Sequence, residues 1–252
     1  MAADAVKKIT PSTNPTSKSS FSNNTTEIIK TRRSRELVIG LCGAVGSGIK
    51  SLQEKLKYEL QQHGYSVECI QLSDLISEEL EAEELSKLGN SKLDRYTILQ
   101  DKGDNLRKTY GPQVVAELAI RKITILREAK YGNEASDDPQ MHTQKVAYII
   151  NQIKHPSEIE LLSEIYRNNF YLIGLLRTQK EREQNLREDR VKESEINKLI
   201  ERDRKSSLKH GQQVEASLHK ADYFIRNIEV GKDISSSVSR FIKLIHGIDN
   251  IT

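Results

Sequence analysis

A glycine-rich turn, Gly43-Ala44-Val45-Gly46-Ser47-Gly48, has the residue types and spacing best suited to chemistry in this sequence. It follows the apolar run Leu37–Cys42, and Ile49, Lys50 and Ser51 come directly after it. The spacing from Gln53 to His63 predicts a helix that stops at Gly64. A strand, a glycine turn and a helix in this order can surround an anion with backbone N–H groups and a helix N-terminus. The pattern therefore predicts a phosphate-binding loop that uses Gly43–Gly48, Lys50 and Ser51.

The spacing after the turn departs from the regular P-loop pattern G-x-x-x-x-G-K-[ST]. Gly43 and Gly48 fit that pattern, but Ile49 stands between Gly48 and Lys50. One additional residue at a helix start rotates the following side chains by about 100°, away from the phosphates and from a magnesium ion. Three interpretations remain open: a working kinase or ATPase, phosphate binding without efficient transfer, and a glycine turn that only packs a strand against a helix.

The acidic partner of a phosphoryl-transfer site is missing from the place where we first expect it. P-loop enzymes hold magnesium with an Asp that ends a second apolar strand. The run Phe170–Leu176 is followed instead by Arg177. Asp74 follows the apolar run of the second strand, where it is a candidate base or metal residue, or part of a helix N-cap.

A charged segment, residues 177–209, follows the fourth apolar run. It contains 11 Lys or Arg and 8 Asp or Glu residues. A lid could place its arginines over phosphates, since guanidinium groups pair with phosphate oxygens. The alternative is a solvated helix with pairs such as Glu183–Arg187. For a kinase, the expected catalytic residues are Lys50, Asp74, Arg177 and Arg182.

Two further groups of residues bear on recognition and metal binding. Gln100, Asn105 and Arg107 lie in a polar helical stretch and are candidates for recognising a base or a monophosphate. The two cysteines, Cys42 and Cys69, cannot form a Cys-x-x-Cys zinc site, and the histidines show neither His-x-Glu nor H-E-x-x-H. We expect no zinc site in this chain.

The elements that must position these residues are five short apolar runs separated by helical patterns. The runs are Glu36–Cys42, Ser66–Leu72, Lys145–Ile150, Phe170–Leu176 and Asp222–Asn227. Alternating strands and helices predict an α/β fold with a doubly wound, mostly parallel five-stranded sheet. We expect this P-loop kinase-like domain to span residues 35–247, with a helical insertion at 74–131 and a charged lid-like segment at 177–221.

Composition limits the remaining possibilities. The 252 residues are 36% hydrophobic and carry a net charge of +3, too mild to require a nucleic-acid partner. No apolar run of about 18 residues occurs, which argues against a membrane-spanning helix. The first residues lack the core of a signal peptide, and we expect a cytoplasmic protein. Residues 1–34 are rich in Ser, Thr and Asn and are predicted to be disordered.

Four motifs in order resemble one protein family. They are Glu36–Gly46, Tyr148–Glu158, Ile200–Asp203, and His210–Val214 leading into Ala221–Asn227. From about Arg35 onward, the sequence resembles the N-terminal P-loop, nucleoside-monophosphate-kinase-like domain of bacterial anti-phage deoxycytidylate or dCTP deaminases. The last motif also resembles the final strand of dephospho-coenzyme A kinases.

The resemblance implies a regulatory module that senses a nucleotide, ATP or a deoxynucleoside triphosphate, with magnesium as a further candidate. Its expected partner is a zinc-dependent deaminase, as a C-terminal domain reached through a linker starting at 248–252, or as a separate chain. A full-length member would be a deaminase that depletes deoxycytidine nucleotides. The alternatives are a nucleoside or nucleotide kinase, and an RNA- or protein-contact module with a purely structural P-loop. The contact surface of such a module would be the tail, the arginines at 32–35 and the basic residues of 177–209. An oligomer is left open.

Overall fold

The protein is described by a computed structural model that covers residues 36–89, 91–131, 145–204, 211–227 and 234–246. Its sheet contains β1 (Glu36–Gly43), β2 (Ser66–Gln71), β3 (Val146–Asn151), β4 (Phe170–Leu176) and β5 (Tyr223–Arg226). The spatial order is β2-β3-β1-β4-β5, and each neighbouring pair is parallel. The nearly continuous apolar sequence of β1 suits this central position, because both of its faces are buried.

Helices form the connections between the strands. They are α1 (Ile49–Gln62), α2 (Leu72–Glu78), α3 (Ala82–Lys87), α4 (Lys92–Tyr110), α5 (Val114–Tyr131), α6 (Pro156–Tyr166), α7 (Gln179–Glu188), α8 (Glu193–Arg204), α9 (Val214–Leu218) and α10 (Ser235–Ile245), with a 3₁₀ turn at Arg167–Asn169. Helices α2 to α5 lie between β2 and β3, and α7 to α9 lie between β4 and β5.

Two apolar layers cover the two faces of the sheet. Successive β1 side chains point to opposite faces, so Ile39 and Leu41 pack with α1 and α10, whereas Val38 and Cys42 pack with α2, α4, α5 and α6. Helices therefore cover both faces. The predicted α/β class and the doubly wound five-stranded sheet are confirmed, and the sheet is parallel throughout.

Helix α1 begins earlier than the sequence indicated. The pattern predicted a helix over Gln53–His63, but α1 starts at Ile49, directly after the glycine turn. Its buried side chains include Leu52, Leu56 and Leu60 at helical spacing. The exposed Lys50 and Ser51 interrupt the apolar pattern in the first turn, which is why that turn was missed. The predicted stop is confirmed, since Gly64 has a φ of +81° just beyond the helix end.

The carboxyl ends of the strands meet beside the glycine turn. Strands β3 and β2 lie on one side of β1, and β4 and β5 lie on the other, so the strand order reverses at β1. Ligands of open parallel sheets bind at such a switch point. The predicted tail 1–34, the arginines at 32–35, His210 and the predicted linker 248–252 lie outside the described residues. No helix within the described ranges is long and apolar enough to cross a membrane.

Candidate functional site

The glycine loop is a tight connection between β1 and α1. Ser47 N–H donates to the carbonyl of Ala44 at 3.0 Å, which closes a turn. Gly46 and Gly48 have φ angles of +79° and +92°, a region that side chains disfavour. A Cβ on Gly46 would lie 2.7 Å from the carbonyl oxygen of Arg182, and one on Gly48 would lie 2.8 Å from Asn227 Nδ2. Both glycines are therefore required by this backbone path.

Ile49 takes the helical position that follows the last glycine, where the regular pattern has lysine. Its side chain is only 8% exposed and packs in the apolar layer with Leu52 and Leu56. Lys50 and Ser51 are exposed, although both line the cavity beside the loop. The loop thus keeps its backbone geometry while an apolar side chain replaces the cation expected at the first helical position.

The N-terminus of α1 is not neutralised by its own residues. Gly48 is the N-cap residue and offers no side chain, and the first turn of α1 holds no acidic residue. Helix N-termini carry a partial positive charge and unpaired N–H groups. Next to them, Ser47 Oγ is buried and makes no hydrogen bond in the described part of the chain. These features favour an anion at this point.

A carboxylate from a distant helix already lies on the loop. Asp203 of α8 accepts a hydrogen bond from Val45 N–H at 2.7 Å through one oxygen, and Lys154 Nζ donates to its other oxygen at 2.6 Å. Asp203 is 3% exposed and Lys154 is 8% exposed. Neither residue was among the predicted site residues, although each lies in a motif that carried the family resemblance. Only the fold brings them to the loop.

Helices α7 and α8, referred to below as the α7–α8 pair (Gln179–Arg204), cover the loop. Arg182 Nε donates to the carbonyl of Val45 at 2.8 Å, and Asn185 Nδ2 donates to the carbonyl of Gly46 at 3.1 Å. The Val45 side chain packs in an apolar cluster with residues of the pair, namely Leu186, Val191, Ile196, Leu199 and Ile200. Burial lowers the pKa of the Arg182 guanidinium, opposed by the nearby Asp203 carboxylate.

Arg177 and Arg187, two further arginines of the charged segment, have different environments. Arg177 Nη1 lies 3.5 Å from the place that a Cβ on Gly48 would take, and its buried Nε has no hydrogen-bond partner in the described part of the chain. Arg187 is exposed and paired with Glu183 and Glu193. Of the predicted arginines, Arg177 and Arg182 are thus the ones shown beside the loop.

Carboxylates are absent from the ends of the two strands that flank β1. β3 ends at Asn151, whose side-chain amide donates to Gln53, and β4 is followed by Arg177. Asp74 is 62% exposed in the first turn of α2 and lies 3.5 Å from Arg95. The N-cap of α2 is Gln71, so the N-cap interpretation of Asp74 is wrong. These strand ends do not fit a magnesium ion held by the protein's own carboxylate, and no group of three metal-binding side chains occurs among the described residues.

The three candidates for base or monophosphate recognition have different environments. Arg107 donates from Nε and Nη2 to Glu158 Oε1 at 2.9 and 2.7 Å, and from Nη1 to Asp104 at 3.1 Å. Gln100 is buried and accepts a hydrogen bond from Arg202 Nε at 2.6 Å. Asn105 is exposed. The side chains of Arg107 and Gln100 therefore make hydrogen bonds to other side chains of the protein.

The cavity beside the loop has a volume of about 160 Å³. Residues Gly43–Ser51 line one side, and Tyr96, Gln152, Lys154, Asn185 and Asp189 complete the lining. Burial raises the pKa of the Tyr96 hydroxyl, and the nearby carboxylates of Asp189 and Asp203 add to this effect. The cavity thus combines backbone N–H groups, the buried Lys154, the exposed Lys50, the Asp189 carboxylate and the phenol of Tyr96.

Comparisons with known proteins add little to this geometry. No family model matches the chain, and no curated protein matches its sequence. Similar solved structures include shikimate kinase from Acinetobacter baumannii in complex with shikimate (13% identity, TM-score 0.40, covering 86% of this chain and 97% of that chain). They also include shikimate kinase from Bacteroides thetaiotaomicron (14%, 0.43, 83% and 98%) and a gluconokinase from Sinorhizobium meliloti (13%, 0.39, 86% and 97%). Likeness at these TM-scores supports no inference about substrate or activity.

Proposed function

We propose that the chain is a nucleotide-binding regulatory module, which holds a nucleotide phosphate on the loop Gly43–Ser51 and does not transfer it. The observation that carries the proposal is the oxyanion already held there: the Asp203 carboxylate lies on Val45 N–H and Lys154 Nζ. A loop amide and an ammonium group form the donor set that binds phosphate at glycine loops. The uncapped N-terminus of α1 adds partial positive charge beside them.

The residues for phosphoryl transfer argue against a kinase. Transfer needs cations placed on the charge that develops in the transition state, together with a metal held by a carboxylate. Here Ile49 is buried where the regular pattern has lysine, and Lys50 is exposed. Asn151 and Arg177 stand at the strand ends. Binding without turnover is the chemistry that this set of groups supports best.

A finer proposal concerns the partner. The four motifs of the family resemblance support a module that controls a deoxycytidylate deaminase, present as another domain or as a separate chain. No zinc deaminase motif occurs in these 252 residues, so deamination would belong to that partner. On this proposal the preferred ligand is a deoxynucleotide or ATP, and the readout is its effect on deaminase activity.

Calorimetric titration tests the binding function. The chain is titrated with ATP, dATP, dCTP, dCMP and dTTP, with and without magnesium, and the same samples are assayed for phosphoryl transfer. Gly48→Ala introduces a Cβ against Asn227, and we expect it to abolish binding. Gly64→Ala is the matched control, because Gly64 also has a positive φ but nothing lies within 4 Å of an added Cβ.

Saturable binding without product, lost in Gly48→Ala and kept in Gly64→Ala, is the expected result. Product formation that depends on Lys50 would replace the proposal with a kinase. No nucleotide binding at millimolar concentration would overturn it and leave the loop a packing element. For the finer proposal, the binding nucleotide is added to a deaminase of the resembling family with this chain present, and unchanged deamination would contradict it.

A further inference from the structure

The Asp203 carboxylate is bound by donors of the kind that bind a phosphate oxygen, a loop N–H and an ammonium group. It comes from α8, 158 residues along the chain from the loop residue Val45 that donates to it at 2.7 Å. Its second oxygen accepts from Lys154 Nζ at 2.6 Å, and both charged groups are nearly fully buried. A buried charge is tolerated when it is paired and hydrogen-bonded. Here Asp203 is paired with Lys154 and also accepts a hydrogen bond from the loop. The chain thus supplies its own anion to the loop.

We propose that Asp203 is an internal ligand of the glycine loop, and that a phosphate group binds by displacing it and releasing α8 from the loop. The inference rests on the proposed function, since it describes how the same site is regulated. The exchange keeps the charges balanced. The phosphate takes over Val45 N–H and Lys154, so the lysine is not left buried without an anion, and the Asp203 carboxylate returns to water.

The cavity lined by Gly43–Ser51 is small for a whole nucleotide. The cavity holds about 160 Å³ with the α7–α8 pair in place, whereas sites for small organic ligands measure about 300–1,000 Å³. A second cavity, of about 560 Å³, is lined by Ala44, Arg182 and Asp203 together with residues of α9, so Asp203 borders the larger space next to the loop.

Three side-chain hydrogen bonds and one apolar cluster connect the α7–α8 pair to the loop. They are the Asp203 bond, the Arg182 and Asn185 bonds to loop carbonyls, and the apolar cluster around Val45. In α7 the buried side chain is Leu186 alone, and the rest of that helix is polar and partly or fully exposed. An anion that takes the place of Asp203 therefore breaks the bond of this carboxylate to Val45 N–H and its ion pair with Lys154.

The first experiment compares Asp203→Asn with the unchanged protein, using inorganic pyrophosphate and ATP as probes in calorimetric titrations. If Asp203 occupies the loop in most molecules, the apparent Kd of a ligand equals its intrinsic Kd divided by the fraction of molecules in which Asp203 has left the loop. We expect Asp203→Asn, which keeps the side-chain size, to tighten pyrophosphate binding about tenfold or more. Glu201→Gln is the control, because it removes the same charge from an exposed position of the same helix.

The second experiment needs no variant and covers the case in which Asp203→Asn fails to fold. Amide hydrogen exchange is followed in peptides from α8 while pyrophosphate is added to the unchanged protein. Faster exchange in α8 is expected. Equal affinities in Asp203→Asn and the unchanged protein, or α8 exchange that does not rise at saturating pyrophosphate, would overturn the inference and leave the proposed function standing. No binding of pyrophosphate or ATP to either protein would overturn the inference, and the proposed function falls with it if dATP, dCTP, dCMP and dTTP also fail to bind.

Discussion

Replacing Arg107 with methionine separates a structural role from a ligand-binding role. Arg107 is 3% exposed and makes two hydrogen bonds to Glu158, which is 0% exposed. Removing one partner of a buried pair leaves an uncompensated charge and costs about 3–5 kcal/mol. A domain of 150–250 residues loses about 2–4 °C of Tm per kcal/mol, so we expect a loss of about 6–20 °C.

Thermal and urea unfolding followed by circular dichroism measure this loss. The double variant Arg107→Met/Glu158→Gln is expected to recover much of it, since a buried pair replaced by neutral groups is often tolerated. Glutamine can still accept the N–H groups of Lys154 and His155, which Glu158 now binds at 3.1 and 3.2 Å. Lys108→Met is the control at an exposed neighbouring position. A stability change below about 1 kcal/mol, accompanied by lost nucleotide binding, would refute the structural role.

Two further predictions concern titrating groups. Burial and the neighbouring cations of His63 and Lys145 lower the pKa of His246, so its protonation opposes folding, and stability is expected to fall as the pH drops below about 6.5. Urea midpoints between about pH 5 and pH 8 should lose part of this slope in His246→Gln but not in the exposed control His219→Gln, and an unchanged slope in His246→Gln would contradict the assignment. Burial raises the pKa of Cys42 to about 12, so at about pH 8 we expect no reaction with a disulfide reagent before unfolding. Fast labelling that disappears in Cys42→Ser, and not in Cys69→Ser, would show otherwise.

The sheet was predictable because each strand carries its own local signal. All five apolar runs form strands, with ends shifted by at most one residue, since buried parallel strands need continuous apolar sequence. Helix starts were harder to place. The first turn of α1 was missed because the exposed Lys50 and Ser51 break its apolar pattern, and α2 starts at Leu72, which the pattern assigned to β2. In both cases tertiary packing, rather than local composition, sets the boundary.

The candidate site was only partly accessible from the sequence. The glycine loop is a local motif, and its residues could be named from spacing alone. Asp203 and Lys154 lie 158 and 109 positions beyond Val45, and no local pattern pairs them with it. The one available signal was their presence in the motifs of the family resemblance, which assigned them no role. For Arg107, its polarity suggested recognition, whereas the fold surrounds it with Glu158 and Asp104.

On the proposed function, the arrangement of charges around the loop separates binding from transfer. A transferring enzyme keeps its donors free for charge that develops during the reaction. In this chain Lys154 and Val45 N–H are engaged by Asp203, and Arg182 Nε is engaged by the Val45 carbonyl. These donors connect α8 and α7 to the loop and to Lys154. If a phosphate exchanges with Asp203, occupancy of the loop becomes a change in the position of a 12-residue helix.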